Sequence, residues 1–268
     1  MVSLPFTAKR KNRSSPDNMT LGEHLGELRR RVIICAIAFA VGATICATVG
    51  YEPILHFLLR PLCSVDATTQ HHTSQGSSFI VTANGSCNLF VTSPLDGLTL
   101  RVKIALFGGL VLASPVILFQ VWRFVTPGLK ASERRYAIPF VLSSFLLFLA
   151  GAATAYVTLP HALGWLKSVG GPNLQAIYDP IPYLGLILLM MTIFGLTFEF
   201  PVVLVSLELA RVVTPARLLR AWRWAVIIIV VVAAVFTPSS DPFSMFALAI
   251  PLIAFYFISI GIGTLLGR

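Results

Sequence analysis

The sequence predicts an all-α integral membrane protein with six transmembrane helices and both termini in the cytoplasm. Of its 268 residues, 56% are hydrophobic and 12% are charged, and the mean hydropathy is +0.83, whereas an average globular protein carries roughly 25% charged residues. This small number of charged residues cannot cover a globule with polar side chains. Much of the surface must therefore contact lipid. The net charge is +9, but the basic residues lie between apolar runs, which indicates membrane orientation and argues against nucleic-acid binding.

Six apolar segments approach the length of about 20 residues that a transmembrane helix needs. They are Val32–Tyr51, Ile104–Trp122, Tyr136–Leu159, Leu184–Leu207, Ala225–Pro238 and one within Phe243–Leu266. The fifth segment would be only about 20 Å long as a helix, and we expect the fifth and sixth helices to be short. Either the bilayer thins around them or they form a broken re-entrant hairpin.

The distribution of Lys and Arg predicts the orientation. Sixteen of the 20 lie in the N-terminal segment, in the loops after the second and fourth spans, or at the last residue; the other four are Arg60, Arg101, Lys103 and Lys167. Because basic loops stay in the cytoplasm, this predicts a multi-pass protein of the cytoplasmic (inner) membrane with both termini inside. The basic N-terminal segment and the first span could also be interpreted as a signal peptide, but the lead of 31 residues is long and five further spans follow.

The chain is predicted to have one membrane domain at residues 20–268, preceded by a mobile basic tail at 1–19 and containing a long outer loop at 52–100. Thr20 and Glu23 form a capping box, which predicts that a cytoplasmic helix begins there. Its apolar stripe would let this helix lie along the membrane surface. Thr214 and Pro215 are predicted to be the N-cap and the first turn of a helix ahead of the fifth span.

Two cysteines, Cys63 and Cys87, fall in the outer loop, the compartment in which a disulfide would persist. We predict that they pair, since closing a loop of about 25 residues stabilises the fold by roughly 3 kcal/mol in the chain-entropy model. Two free thiols are the alternative. His71 and His72 in the same loop have no third ligand at a usable spacing, so we predict no metal site.

Motifs of enzyme chemistry are missing from the sequence. It contains no glycine-rich nucleotide-binding motif, no zinc-protease motif and no hydrolase nucleophile elbow. We therefore predict that the protein is not an enzyme and has no cofactor. An intramembrane protease is an alternative, although no serine and histidine, or pair of aspartates, falls at facing positions in neighbouring spans.

A few acidic residues are the strongest candidates for a binding site. Glu199 lies within the fourth predicted span, where a carboxylate needs a partner, water or a proton, and no Lys or Arg of another span can pair with it. It therefore carries a proton, is hydrogen bonded within the bundle, or receives a polar group from another protein. Glu208, nearer the cytoplasmic edge, is interpreted as interfacial. Glu27 and Glu133 each lie in an arginine cluster, and they either form local ion pairs or converge into an anionic pocket that binds arginine.

Several motifs follow one another along the chain. They are Glu23-His24-Leu25 through Glu27-Leu28-Arg29, Ser114-Pro115-Val116-Ile117-Leu118, Gln120-Val121-Trp122-Arg123-Phe124 through Leu129, Glu133-Arg134-Arg135, Phe194-Gly195 through Phe198-Glu199-Phe200-Pro201, and Thr237-Pro238 with Asp241. Together, from about residue 21 to about residue 260, they resemble TatC, the polytopic receptor subunit of the twin-arginine protein translocase. The resemblance implies six spans with both ends inside, as the charge distribution also predicts.

The resemblance also implies where a cargo signal peptide binds. In the family, the cytoplasmic helix ahead of the first span and the loop between the second and third spans bind the twin-arginine motif of folded cargo. On this chain the matching residues are Glu27, Phe124 and Glu133. The carboxylates would bind guanidinium groups and the phenyl ring would contact the apolar part of the motif.

The remaining family positions concern partner subunits and the outer side. Glu199 and Thr237 are expected to contact single-span TatA-like and TatB-like membrane proteins, and Pro61 and Asp241 match outer-side positions with less defined roles. The resemblance further implies self-association in the complex and translocation driven by the protonmotive force. Ser239 and Ser240 separate Thr237-Pro238 from Asp241, a spacing that some relatives shorten by one residue.

Two other classes of function are compatible with the pattern. A proton-coupled secondary transporter would use Glu199 as the coupling acid, with Pro201 breaking the helix at the substrate site. Against it, the second half of the chain does not repeat the first. A purely structural scaffold is the third alternative, and the specific cytoplasmic motifs argue against it.

Overall fold

A computed structural model of the chain describes residues 21–67, 79–81, 87–89, 93–125, 137–170, 180–209, 211–238 and 241–265. These residues form nine helices and one short hairpin. In chain order the elements are α1 (Leu21–Thr48), α2 (Tyr51–Ala67), β1 (Phe79–Val81), β2 (Cys87–Leu89), α3 (Asp96–Val125), α4 (Ala137–Gly170), α5 (Pro180–Thr197), α6 (Phe200–Leu209), α7 (Pro215–Arg220), α8 (Trp222–Phe236) and α9 (Pro242–Leu265).

The predicted all-α membrane fold is confirmed. Five helical segments of the described residues are long and apolar enough to cross a membrane, namely Leu25–Thr48, Asp96–Arg123, Ile138–Leu166, Ile181–Leu209 and Pro242–Leu265. A sixth apolar helix, α8, has 15 residues and is short, as predicted. Large apolar side chains lie exposed on the outside of the bundle, which is the surface that lipid covers.

The sixth span is longer than predicted. Helix α9 has 24 residues, about 36 Å at the α-helical rise, which is enough for a full bilayer. Pro251 lies inside α9 without ending it, and Asp241 caps the first turn, so the helix keeps its whole length. The prediction of a short sixth helix is therefore wrong, while that of a short fifth helix holds.

Two features of the N-terminal half differ from the predictions. Helix α1 begins at Leu21, where the capping box places it, but continues without a break to Thr48. The segment predicted to be cytoplasmic is thus an extension of the first span and not a separate helix along the membrane surface. The predicted outer loop also contains a 17-residue helix, α2, which buries Leu58 and Leu59 in the core, and a hairpin in which Val81 pairs with Cys87.

The core lies among α3, α4, α5 and α9, where side chains such as Ile104, Leu159, Leu184, Phe194 and Leu252 are buried. Small residues let the helix backbones approach closely, as is usual inside membranes. A Cβ added to Gly109 of α3 would lie 2.7 Å from the backbone nitrogen of Ala43 on α1. Such close packing fixes the positions of the helix ends that carry the candidate site.

Candidate functional site: carboxylates at helix ends and at a helix break

The first predicted site lies where the N-terminal end of α1 meets the C-terminal end of α3. The Arg31 guanidinium forms an ion pair with the Glu27 carboxylate one turn earlier on α1, and its Nη1 donates a hydrogen bond of 3.2 Å to the Gln120 carbonyl on α3. Arg31 is only 8% exposed. The local ion pair, one of the two interpretations from sequence, is therefore present for Glu27.

The pairing leaves Glu27 partly unsatisfied. Arg31 contacts the Oε1 atom, whereas Oε2 has no hydrogen-bond partner within the described part of the chain. The Glu27 side chain keeps 28% of its surface exposed. The unpartnered Oε2 atom is buried, so a second guanidinium can reach it only when the side chains that cover it move.

The neighbouring end of α3 is anchored by an aromatic pair. The Trp122 ring, which is buried, stacks on Phe140 of α4 with 4.0 Å between the ring centroids. This contact ties the last turn of α3 to the first turns of α4, on either side of the loop between the second and third spans. Position 124 lies one turn beyond Gln120 on the same face of α3. The Phe124 side chain and all of Glu133 fall outside the described residues, so the convergence of Glu27 and Glu133 stays a prediction.

The second site is a break in the fourth span. Helix α5 ends at Thr197 and α6 begins at Phe200, because Pro201 has no N–H to donate to the carbonyl of Thr197 and its ring would clash there. Glu199 lies in the break, where its backbone carbonyl accepts a hydrogen bond of 3.1 Å from the Val203 N–H.

The Glu199 carboxyl group has one internal partner. The hydroxyl of Ser144 on α4 hydrogen bonds to it, while the Oε1 atom has no partner among the described residues. Hydrogen bonding within the bundle, one of the alternatives from sequence, therefore accounts for part of the polar capacity of Glu199. Sequence reasoning missed Ser144, since only packing of α4 against α5 brings the two residues together.

Thr237 and Asp241 lie at the junction of α8 and α9, and both are 4% exposed. The Thr237 hydroxyl donates to the Ala233 carbonyl at 2.6 Å, which completes the last turn of α8. Asp241 Oδ1 accepts a hydrogen bond of 2.7 Å from the Ser244 N–H, the geometry of a helix N-cap with Pro242 in the first helical position. Asp241 thus has a structural role that the pattern Asp-Pro-Phe-Ser indicates.

Glu208 lies in an environment different from the interfacial one predicted for it. It is 1% exposed, and neither carboxylate oxygen has a hydrogen-bond partner among the described residues. Helices α7 and α9 cover it: a Cβ added to Gly263 would lie 2.7 Å from Glu208 Cδ and 2.9 Å from Pro215 Cγ. Glu208 is therefore buried and not interfacial, because residues distant in sequence close over it.

The remaining predicted residues are described only by their backbone. Pro61 and Cys63 lie in α2, and Cys87 lies in β2. Their side chains fall outside the described part of the chain, so the disulfide stays a prediction. His71 and His72 lie outside the described residues altogether, so the predicted lack of a metal site there is also untested. The Thr214 backbone is at the predicted N-cap of α7, although its side chain makes no capping hydrogen bond.

Fold and site together define a multi-pass helical membrane protein whose polar groups lie at helix ends and at a helix break. No group of three or more metal-binding side chains occurs in the described ranges. The family model described as "Sec-independent protein translocase protein (TatC)" matches residues 23–251. The chain belongs to this family, and the predicted family is confirmed.

Relatives cover nearly the whole chain. The TatC protein of Frankia casuarinae is 41% identical over 262 residues, which is 97% of this chain and 70% of the relative. That of Aquifex aeolicus is 37% identical over 253 residues, 93% of this chain and 97% of the relative. Among solved structures, a twin-arginine translocase receptor TatC crystallised in DDM has a TM-score of 0.70 and 34% identity, with coverage of 90% and 99% of the two chains. These relatives are named as components of a translocase, a class of transport protein.

Proposed function

We propose that this chain is the receptor subunit of a twin-arginine protein export system in the cytoplasmic membrane. It binds the signal peptide of folded cargo at its cytoplasmic face and assembles with TatA-like and TatB-like single-span proteins. It associates with further copies of itself in the complex, and the protonmotive force drives translocation. Membership in the TatC family supports this function over that of a secondary transporter.

The observation that carries the proposal is the half-satisfied carboxylate of Glu27. Its Oε1 atom is bound by Arg31, and Oε2 has no partner in the described part of the chain. In the proposal, the side chains that cover the buried Oε2 atom move aside, and a cargo arginine binds it through a charge-assisted hydrogen bond while Arg31 keeps the carboxylate in place. Phe124, one turn beyond Gln120, and Glu133 complete the proposed peptide site.

Crosslinking tests this site directly. A photoreactive amino acid at position 133 should crosslink to a twin-arginine signal peptide. Labelling should fall strongly when both peptide arginines are replaced by lysine, because an ammonium group does not reproduce the planar, directed N–H groups of a guanidinium. Equal labelling by the two peptides would contradict the proposed recognition. Glu27→Gln should weaken peptide binding by about 10- to 100-fold, the effect of losing one charge-assisted hydrogen bond.

Two control variants separate recognition from folding. Glu52→Gln makes the same chemical change on α2, at the opposite end of the bundle and on an exposed side chain, and should leave peptide binding unchanged. Arg31→Gln removes the same ion pair as Glu27→Gln but keeps the carboxylate. If Glu27→Gln and Arg31→Gln weaken the peptide and lower Tm to the same extent, Glu27 acts by supporting the contact of Arg31 with α3 and not by binding cargo.

Glu199 is proposed to receive a polar group from a partner helix. It lies at a helix break, and one of its carboxyl oxygens has no partner among the described residues. Glu199→Ala should reduce co-purification of the single-span partners while signal-peptide binding persists. Ser144→Ala removes only the internal hydrogen bond, so it is the matched control and should retain the partners. Loss of peptide and partners together in Glu199→Ala would assign Glu199 to holding the bundle.

The other predicted partner position, Thr237, requires rearrangement to act. Its hydroxyl is used inside α8 and the side chain is buried. In this proposal a partner helix contacts the end of α8 around Thr237. Thr237→Val removes the hydrogen bond to Ala233, so it should lower the stability of the last turn of α8 more than it lowers co-purification of the partner. The orientation with both termini in the cytoplasm is tested by labelling single cysteines at exposed positions 30 and 52, since only position 52 should react from outside.

A further inference from the structure

A groove runs between α1, α3 and α5 at the end of the bundle next to α2. Its volume is 770 Å³. The walls are apolar except for one cation and one hydroxyl group, and they include Phe39, Leu106, Leu110, Leu189 and Lys103.

The cation is Lys103 of α3, whose side chain lies along α5. A Cβ added to Gly185 would lie 2.8 Å from its Nζ, 3.6 Å from Cε and 3.8 Å from Cδ. The ammonium group therefore lies directly beside the backbone of α5, although the flexible lysine side chain could shift away from a small added group. The two ion pairs found among the described residues join Glu27 to Arg31 and Glu52 to His56, so no described carboxylate neutralises Lys103.

A second cation on the same helix is bound differently. The Nε of Arg101 donates a hydrogen bond of 3.1 Å to the Ala47 carbonyl, and its guanidinium lies 5.1 Å from the centre of the Tyr51 ring. Arg101 therefore ties α3 to α1 and α2. Lys103, two residues later, is directed to another face of α3, where it meets the groove.

The depth of the groove matches a lipid. Lys103 is seven residues from the start of α3, about 10 Å along the axis, and Gly185 lies in the second turn of α5. Lys103 directly precedes the predicted second span, Ile104–Trp122, so its ammonium group lies toward the end of that span that is next to α2. Leu110 and Leu189 line the groove further in, so a charged end is followed by an apolar one.

We propose that this groove binds an anionic phospholipid of the leaflet next to α2, with its phosphate at Lys103 and an acyl chain between α3 and α5. A single ammonium group with no described counter-ion provides charge complementarity for one phosphate, and the apolar walls provide the contact for the chain. The proposal does not depend on the export function.

Native mass spectrometry of the purified protein tests it with phosphatidylglycerol and phosphatidylcholine of identical chains. The wild type should bind one phosphatidylglycerol about tenfold more tightly than phosphatidylcholine, the difference expected of a charge-assisted contact. Lys103→Gln should lose this preference, and the matched control Arg101→Gln should keep it. Equal binding of both lipids by the wild type, or an unchanged preference in Lys103→Gln, would overturn the proposal.

A second variant keeps the test decisive if Lys103→Gln does not fold. Gly185→Leu retains the charge but fills the space beside the ammonium group with a bulky side chain, so it should also weaken phosphatidylglycerol by several-fold with little effect on phosphatidylcholine. An unchanged affinity in this variant would refute the site. Release of bound phosphatidylglycerol from the wild type when a single-span partner protein is added would assign the groove to a partner helix instead.

Discussion

Packing of α1 against α3 gives the sharpest stability prediction. A methyl group in Gly109→Ala would lie 2.7 Å from the Ala43 nitrogen and 2.8 Å from its Cα, where ordinary contact begins at 3.4 Å. The two helices would have to separate by about 0.7 Å, because backbone atoms cannot rotate away. The same shift would carry the hydrogen bond from Arg31 to Gln120 beyond its present 3.2 Å.

Overpacking of this kind costs about 1–3 kcal/mol, and close approach to backbone atoms favours the upper part of the range. For a chain of this size, we expect a fall in Tm of about 5–10 °C, measured as loss of monodisperse protein on heating in detergent. Gly97→Ala is the control on the same helix, since its added Cβ has no atom within 4 Å and should leave Tm unchanged or slightly raised.

A double variant distinguishes backbone from side-chain crowding. Adding Ala43→Gly to Gly109→Ala removes only the Ala43 methyl group. The new methyl group at position 109 would still crowd the backbone of residue 43, so Tm should not recover. A wild-type Tm in Gly109→Ala would refute the close approach of α1 and α3. Full recovery in the double variant would show that side chains, and not backbones, limit the distance between these helices.

Three further outcomes follow from the packing and hydrogen bonds described above. Gly263→Ala should lower Tm by several degrees through overpacking, whereas Gly261→Ala, whose Cβ meets nothing within 4 Å, should not; equal effects would contradict burial of the α6 carboxylate. Asp241→Ala should cost about 1 kcal/mol of stability and Asp241→Asn only a few tenths, because Asn also caps a helix, and a larger loss in Asp241→Asn would point to a role of the charge. If Cys63 and Cys87 are paired, neither should react with a maleimide before reduction, and reduction should lower Tm.

The spans were predictable from sequence because a membrane restricts the possible structures. In lipid every backbone polar group must be satisfied within a helix or a closed barrel, so each long apolar run could be assigned to a helix. The start of α1 was likewise indicated by its capping box. The break near Glu199 was considered from sequence only within the transporter alternative, through Pro201, and the fourth span was otherwise predicted as continuous. In each case the signal and the structure that it predicts lie within a few residues of one another.

Features that depend on distant residues were not predictable in this way. Helix α2 has apolar residues at helical spacing, such as Leu55 and Leu58. Its charged residues and prolines nevertheless favoured the interpretation of this segment as part of a loop. The burial of Glu208 requires α7 and α9 to close over it. Gly263 has to be small because its backbone contacts the Glu208 side chain, and only the structure shows that contact. A GxxxG pattern in sequence does not say which side chain the glycine accommodates.

Unsatisfied oxygens alone do not identify a partner site in this protein. Glu27, Glu199, Asp241 and Glu208 each have at least one carboxylate oxygen without a hydrogen bond among the described residues. Asp241 nevertheless has a capping role, and Glu208 is closed off at 1% exposure, whereas the Glu27 side chain keeps 28% of its surface. Glu27 combines a partly exposed side chain with an internal partner that holds the carboxylate in one orientation, although its unpartnered Oε2 atom is itself buried. This combination is why we propose Glu27 as the residue that a cargo arginine binds once Oε2 is uncovered.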